Sequence, residues 1–410
     1  MPLRGESQDP IKVVYLFTTF PKLTETFLQR EVRAMRQLPV NLELFSLWGG
    51  DTHFEGLAVR RFSKAKLFLL PFWLPYWMVR EPVAFVYLLK GLLRQSVRSW
   101  KNLGETFIGV SFAITHAARL GKEGRRPDII HGVWATMPAT AAQMLAKLSG
   151  IPFTMGAHAY DIYQNVGDWL LPGKLEDAAL IISSTDMARG ELLRRGANPE
   201  KVVVVRRGLY PFPEFRRPRT LRSPLRILSV ARLVQKKGIA DQLDIFAEMK
   251  RRDIPFEAHI VGDGPLAKTT RAHAEGLGLS ENVRLLGKLA FSEVLDQYAW
   301  ADVFVFTGSV AKDGDRDGLP NVILEAMATG TPVIARKTEG ISELLDDGRN
   351  GILLSKTEPE QWIDALVRLR EDDMYYQRIC QLGRVSVEEH NDAQLNARVL
   401  LQHFGAVCGR

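Results

Sequence analysis

Short apolar runs alternating with helix-length segments constrain this chain more than any other feature. One set lies at 11–19, 41–48, 128–135, 152–158, 179–184 and 201–208, and a second at 226–232, 257–264, 283–288, 303–308, 332–336 and 351–355. Runs such as IKVVYLF and KVVVV are apolar at successive positions, so a strand made from them has both faces to cover. Segments between them, for example PATAAQMLAKLSG and TDMARGELLRRG, read as helices. Strand and helix in alternation predict βαβ units and a parallel sheet. Between the two sets, LYPFPEFRRPRTLRSP at 209–224 holds four prolines and no apolar periodicity, which reads as a linker. A chain of 410 residues also exceeds what one core usually serves. The predicted fold class is therefore α/β, two doubly wound Rossmann-like parallel-sheet domains facing a central cleft. The expected bounds are 1–210, a linker at 211–224, 225–380, and a C-terminal helix at 381–410 packing back toward the first domain. Ligands of such sheets bind beyond the carboxyl ends of the strands, which points to the cleft.

Within the second set, DGLPNVILEAMATGTPVIARKTEGISE (317–343) carries the densest signal. Pro320 suits a first helical position, where its missing N–H is not needed, and Gly330 supplies the stop. Asp317 and Glu325 bracket the helix start, and further backbone N–H groups follow at Gly340 and Ile341. A helix N-terminus attracts an anion, phosphate above all. Acids beside it suit hydroxyls, and the combination suggests a phosphorylated sugar.

Other residues admit two readings each. Arg232 and Lys237 in VARLVQKKG stand at a strand tip and the next helix start; they are either solvated surface charge or a pair holding a diphosphate. Glu325 lies in the apolar VILEAMA, where an ionised group needs a partner. His158 ends a strand close to Asp161 and either faces the cleft or is satisfied in the core. DGDRD at 313–317 offers two Asp-x-Asp pairs, but without other metal ligands nearby it reads as a polar loop. VGDGP at 261–265 lacks the third glycine of a dinucleotide fingerprint. No Ser-His-Asp order or nucleophile elbow is present.

The segment 65–103 mixes aromatic residues (Trp73, Trp77, Phe85, Tyr87, Trp100) with Lys66, Arg80, Lys90, Arg94, Arg98 and Lys101. It reads either as helices packed on the domain's own core or as a face for an anionic membrane. Its run Phe68–Val79 is too short to span a bilayer and is broken by Pro71 and Pro75. A net charge of +7 fits anionic ligands or a membrane surface rather than nucleic acid. Two cysteines, Cys380 and Cys408, and a polar start without a signal peptide suggest a cytoplasmic protein, with attachment to the inner face of the cell membrane left open. At the other end, FPKLTETFLQREVRAMRQL predicts a helix entered at Thr24 and Thr26, with Thr26 and Gln29 as a capping box.

These residues resemble the family 4 retaining glycosyltransferases, of GT-B fold, and among them the bacterial exopolysaccharide enzymes of the colanic-acid type. The likeness runs through FPKLTETFLQRE, IPFTMGAHAYDIY, VARLVQKKG and DGLPNVILEAMATGTPVIA. It implies that Arg232 and Lys237 hold a donor diphosphate, Glu325 the ribose hydroxyls, and Asp317 and His158 the sugar. It also implies that backbone N–H groups of Gly318, Leu319, Pro320 and Asn321 (proline lending none) complete the phosphate site, while Lys288 and Leu289 contact the base. The implied activity is hexosyl transfer, with retention and without a metal or other cofactor, from a nucleotide diphosphate sugar substrate to a glycan or polyprenyl-linked acceptor. Two positions depart from the pattern: Asp317 where the wider family has Glu, and Val133 in HGVW where the subgroup often has a second His. A nucleotide-sugar epimerase, or a catalytically silent subunit, is the alternative.

Overall fold

The computed structural model describes residues 9–22, 25–94, 100–122, 124, 126–164, 168–216, 221, 223–312, 314–355 and 358–410. It divides into two compact units: Met1–Arg206 with Ala393–Arg410, and Arg207–Asp392. Thr24, Arg98, Asp313 and part of the proline-rich stretch lie outside the described residues.

The first unit is built on eight strands: β1 Ile11–Phe17, β2 Val40–Ser46, β3 His53–Phe54, β4 Leu57–Arg61, β5 Ile129–Gly132, β6 Phe153–Gly156, β7 Leu180–Ser183 and β8 Val202–Val204. Their order is β3-β4-β2-β1-β5-β6-β7-β8. All neighbours are parallel except β3 and β4. These two form a hairpin that the sequence reading does not predict. Its turn is Glu55-Gly56, with φ of 47° and 82°, the positive pair that a two-residue hairpin loop requires. Strands run outward to both sides of the β1–β5 junction, so the switch point of this sheet lies there. Helices Trp100–Leu120 and Met137–Ser149 pack closely over one face. Gly109 permits this, because a Cβ there would stand 3.0 Å from the Met137 carbonyl oxygen. The last helix, Ala393–Val407, belongs to this unit. Its Phe404 is buried against Tyr15 and His131.

The second unit has a six-stranded parallel sheet of β9 Leu225–Val230, β10 Phe256–Val261, β11 Val283–Gly287, β12 Val303–Phe306, β13 Val333–Arg336 and β14 Ile352–Leu354. The order β11-β10-β9-β12-β13-β14 sets its switch point between β9 and β12. Both faces are covered, as apolar strands need. Ile227, Phe246, Ile260 and Trp362 pack in one cluster, and Leu228, Tyr298, Phe304 and Leu324 in another.

Several local expectations differ from the structure. The first helix is Thr26–Met35 with Glu25 at its N-cap and no side-chain cap. Gln29 does not complete a box with Thr26, because its amide donates to the Lys22 carbonyl instead. Pro320 is the N-cap residue, with extended backbone, and Asn321 is the first helical position; the ψ of 115° at the proline leaves the helix to begin one residue later. The segment after Arg206 is not a bare linker. Leu209 is buried in the second unit's core, and Arg384 reaches over Phe212 while donating to the Pro213 carbonyl. The C-terminal region is two helices rather than one. Asp373–His390 ends at Asn391, whose amide donates to the Arg207 carbonyl, and the chain turns there into Ala393–Val407.

Candidate active site

In the second unit the candidate side chains gather at the carboxyl ends of β9 and β12. After β9 the chain passes exposed Arg232, makes a 3₁₀ turn over Gln235–Lys237, and enters the helix Ile239–Arg251 through Gly238. Gly238 has φ of +62°, and a Cβ on it would lie 2.3 Å from the Thr307 carbonyl oxygen. Only glycine fits both the left-handed backbone and that contact. Thr307, just past β12, closes the arrangement by donating its hydroxyl to the Gly238 carbonyl at 2.7 Å, and Ser309 N–H donates to the Lys236 carbonyl. The turn that presents the two lysines is thus clamped to the neighbouring strand.

Those lysines meet acids from the next loop. Lys237 Nζ is 2.7 Å from Asp317 Oδ2, and Lys236 Nζ lies 3.0 Å from Asp315 Oδ1 and 3.6 Å from Asp317 Oδ1. Burial alone would raise the Asp317 carboxyl, but Lys237 and Lys236 outweigh it and hold it below the ordinary carboxylate value. Asp315 and Asp317 of the DGDRD loop are therefore engaged by cations, and among the described residues no cluster of three His, Cys, Asp or Glu is placed to hold a metal.

Beyond Asp317 the chain runs through buried Gly318, Leu319 and Pro320 into the helix Asn321–Thr329. No side chain caps that N-terminus; the Ile323 N–H turns back to the Pro320 carbonyl at 3.0 Å, which leaves the amides of the first two helical positions for a ligand or water. Asn321 Oδ1 and Thr338 Oγ1 are both buried without a hydrogen-bond partner, which buried polar atoms rarely are unless a ligand or water serves them. The loop of Thr338 touches the same place, since a Cβ on Gly340 would stand 2.1 Å from the Gly318 carbonyl oxygen. Glu325, one turn into the helix, is buried, and the Tyr298 hydroxyl lies 3.2 Å from its Oε2 and 3.1 Å from the Val322 carbonyl. The acid in an apolar helix has the partner its burial demands. Lys288 is exposed just after β11, and Leu289 packs against the cluster that contains Tyr298.

In the first unit His158 follows β6, at the carboxyl edge of that sheet. Asp161 organises its surroundings: the carboxylate accepts from the N–H groups of His158 at 3.1 Å, Ala159 at 2.9 Å and Ala135 at 3.1 Å. Burial raises the Asp161 carboxyl more than those N–H groups lower it. The His158 ring stands edge-on to Trp134 and Phe27. The loop Val133–Thr136 is held from its other side by Lys174, fully buried, whose ammonium donates to the Ala135 carbonyl at 2.7 Å, the Thr136 carbonyl at 3.1 Å and Asp168 at 2.9 Å. Val133 itself is buried in the core, so valine is what its packing favours there.

The sequence reading overlooks Lys236, Thr307, Tyr298, Lys174 and Asp168 as supporting residues, and takes Asp315 only as part of the DGDRD polar loop, not as the partner of Lys236. Lys236 carries a signal, as the neighbour of Lys237 in QKKG; the others act through contacts between distant segments.

Comparisons with known proteins bear on the family and the fold. Residues 224–372 match the glycosyl transferases group 1 family, and residues 24–208 match the glycosyl transferase 4-like domain. The chain is 27% identical to a protein of Escherichia coli K12 named for colanic acid biosynthesis, the glycosyltransferase WcaL, over 96% of each chain. It is 26% identical to the amylovoran biosynthesis glycosyltransferase AmsK of Erwinia amylovora, over 96% of this chain and 98% of that one. Among solved structures, Anabaena HepE in complex with UDP and glucose superposes with a TM-score of 0.67 at 17% identity, covering 97% of this chain and all of that one. Sucrose-phosphate synthase from Thermosynechococcus elongatus gives 0.72 at 15% identity, over 97% and 99%. Two family matches that together span most of the sequence, on a pair of doubly wound parallel sheets, identify this chain as a member of the family 4 glycosyltransferases, with the GT-B fold.

Proposed function

We propose that this glycosyltransferase moves a hexosyl group from a nucleoside diphosphate to a hydroxyl of a glycan or polyprenyl-linked acceptor, with retention, in exopolysaccharide synthesis. The observation that carries the reading is the clamped Lys236–Lys237 turn beside an uncapped helix N-terminus, where the orphaned Asn321 Oδ1 calls separately for a donor such as a sugar hydroxyl. Anionic oxygens are the natural ligands of such a site. That HepE is described in complex with UDP and with UDP-glucose supports a nucleotide-sugar donor, and the names of WcaL and AmsK support an exopolysaccharide acceptor.

In this reading the bond between the anomeric carbon and the β-phosphate oxygen breaks, and the acceptor oxygen bonds the same carbon on the same face. The acceptor proton passes to the departing phosphate. Negative charge grows on the diphosphate as the bond breaks, and Arg232, Lys237 and the amides of Gly318, Leu319 and Asn321 stabilise it. Side chains supply this charge, so the step needs no metal. Glu325 receives the ribose hydroxyls, Lys288 and Leu289 border the base, and Asp317 hydrogen-bonds the sugar. Donor entry releases Lys237 from Asp317, which frees the carboxylate for sugar hydroxyls.

The test is turnover with a panel of nucleoside diphosphate sugars, each with and without acceptor, in the native chain and in Lys237→Ala. The expected result is one preferred donor, product only when acceptor is present, and at least about 100-fold lower turnover in the variant, as when one charge-stabilising donor is lost. Turnover without acceptor would favour an epimerase. A variant near the native rate would overturn the donor assignment.

A further inference from the structure

The first unit carries an apolar face that its own core does not cover. The 3₁₀ turn Lys64–Leu69 leads into the helices Leu70–Arg80 and Pro82–Arg94. One side of this pair is anchored. Trp77 is buried and donates its indole N–H to the Ile114 carbonyl at 3.0 Å, and Trp73, Leu74, Phe85 and Leu88 pack against the core. The other side is equally apolar and faces solvent. Phe68 is 84% exposed, Phe72 76%, Val79 85% and Val83 75%, and Tyr76 and Val86 are exposed as well. Positions 72, 76 and 79 fall on one stripe of the first helix, and 83 and 86 on one stripe of the second. Contiguous exposed aromatic and aliphatic side chains mark a surface that meets something apolar.

The rim of this face selects the partner. Over residues 64–94 the sequence has five Lys and Arg against a single acid, Glu81. Arg80 bends back over Tyr76, donating to its hydroxyl at 2.6 Å, while Lys64 and Lys90 are exposed. Lys64 also sits 4.0 Å over the Trp48 ring at the mouth of a cavity of about 680 Å³ lined by Trp48, Arg61, Ser63 and Lys64. At about 2 Å of rise per residue in a 3₁₀ turn, Phe68 begins about 8 Å from that cavity. A cationic, indole-walled cavity thus opens beside the apolar stripe. A two-fold contact between copies of the chain would set this basic rim against itself. An acidic lipid surface complements it, with headgroup phosphates at the cations and acyl chains at the rings. No helix among the described residues is long and apolar enough to cross a membrane, so the mode is attachment along the surface.

We propose that the first unit docks on an anionic lipid bilayer through the outer face of Leu70–Arg80 and Pro82–Arg94, with Lys64 and Arg61 at the headgroups. The test is flotation of the full chain with vesicles of phosphatidylcholine alone and of phosphatidylcholine with phosphatidylglycerol, with neither donor nor acceptor present. Its failure would therefore leave the transferase reading standing, and failure of that reading would leave this one. The native chain is expected to float with the acidic vesicles and to be released by salt. Phe68→Ser with Phe72→Ser should weaken partitioning at least about tenfold, the scale of withdrawing buried aromatic surface. Lys64→Glu with Lys90→Glu should abolish the preference for phosphatidylglycerol while leaving the melting temperature unchanged. No flotation of the native chain, or flotation of both double variants at the native level, would overturn the proposal. A native dimer that the serine variant converts to monomer would also overturn it, because a second copy would then cover the face.

Discussion

Lys174 sits furthest from what its residue type prefers. An ammonium taken wholly out of water survives only with several partners, and Lys174 has three: the carbonyls of Ala135 and Thr136, and Asp168. Burial pulls its amine downward and Asp168 pushes it back up. Geometry this complete suggests that the pair fixes the loop Val133–Thr136, which also gives its Ala135 N–H to Asp161 beside His158. Lys174→Met alone would strand the Asp168 carboxylate in the interior and should cost about 3–5 kcal/mol. Adding Asp168→Asn removes the stranded charge and should recover more than half of that loss. Urea unfolding of the two variants checks this; a double variant no more stable than the single one would show that the lysine acts by packing alone. None of this is legible in LPGKLED, which reads as an ordinary surface helix. The carbonyls that Lys174 binds lie nearly forty positions earlier, and spacing along a chain carries no record of such a meeting. Glu325 is an intermediate case. Its apolar helix announces that a partner must exist, but only the fold brings Tyr298 to it.

At the scale of elements, strands were legible because each is an apolar run whose two faces both need cover, and β1, with only Lys12 exposed, shows that requirement met. Helix starts were less so. Thr26 and Pro320 each suit an N-terminal position, yet the structure places each one residue away from the expected role, because cap geometry depends on the backbone arriving from outside the helix. The β3–β4 hairpin was too short to register as periodicity. Elements also carry a pH dependence. His131 on β5 sits with Nδ1 2.8 Å from Thr154 Oγ1 on β6, and burial pushes it down to about 3. His116 in the helix Trp100–Leu120 lies flat on Phe112 with Nε2 2.8 Å from Lys66 Nζ; burial first, and then Lys66, lower it to about 4. Both rings are neutral in the fold, whereas an unfolded histidine titrates near 6.5. Between those values the unfolded chain binds more protons, so acid favours unfolding. The first unit should hold full stability above about pH 6.5 and lose about 1.4 kcal/mol per pH unit for each histidine as pH falls toward 4. His116→Gln should flatten that slope by about half. Melting of both proteins across the window decides it, and equal slopes would exclude His116.

For the molecule as a whole, the chain builds its first unit from two pieces separated by the whole of its second. The sequence reading expects one helix over 381–410 packing back toward the first domain, but where that helix begins and which strands it covers depend on complementary side chains in a segment nearly four hundred residues earlier. The structure supplies them. Phe404 is fully buried with its ring against Tyr15 of β1 and His131 of β5, Asn396 donates to the Arg206 carbonyl, and Arg410 donates to the Asp9 carbonyl. Ending the chain after Asp392 would uncover this patch on β1 and β5. Losing Phe404 alone is worth about 3–5 kcal/mol by analogy with deletion of a buried aromatic ring. In a unit of this size that lowers the melting temperature by at least about 6 °C. The second unit keeps its core and the Asn391 bond to the Arg207 carbonyl, so its own transition should stay in place. Scanning calorimetry of the native and shortened chains, with nucleotide binding used to mark the second unit's transition, tests the division. A shortened chain in which both transitions fall together would mean that the two units do not unfold as separate bodies. An unchanged first transition would mean that Ala393–Arg410 is an appendage rather than part of that core.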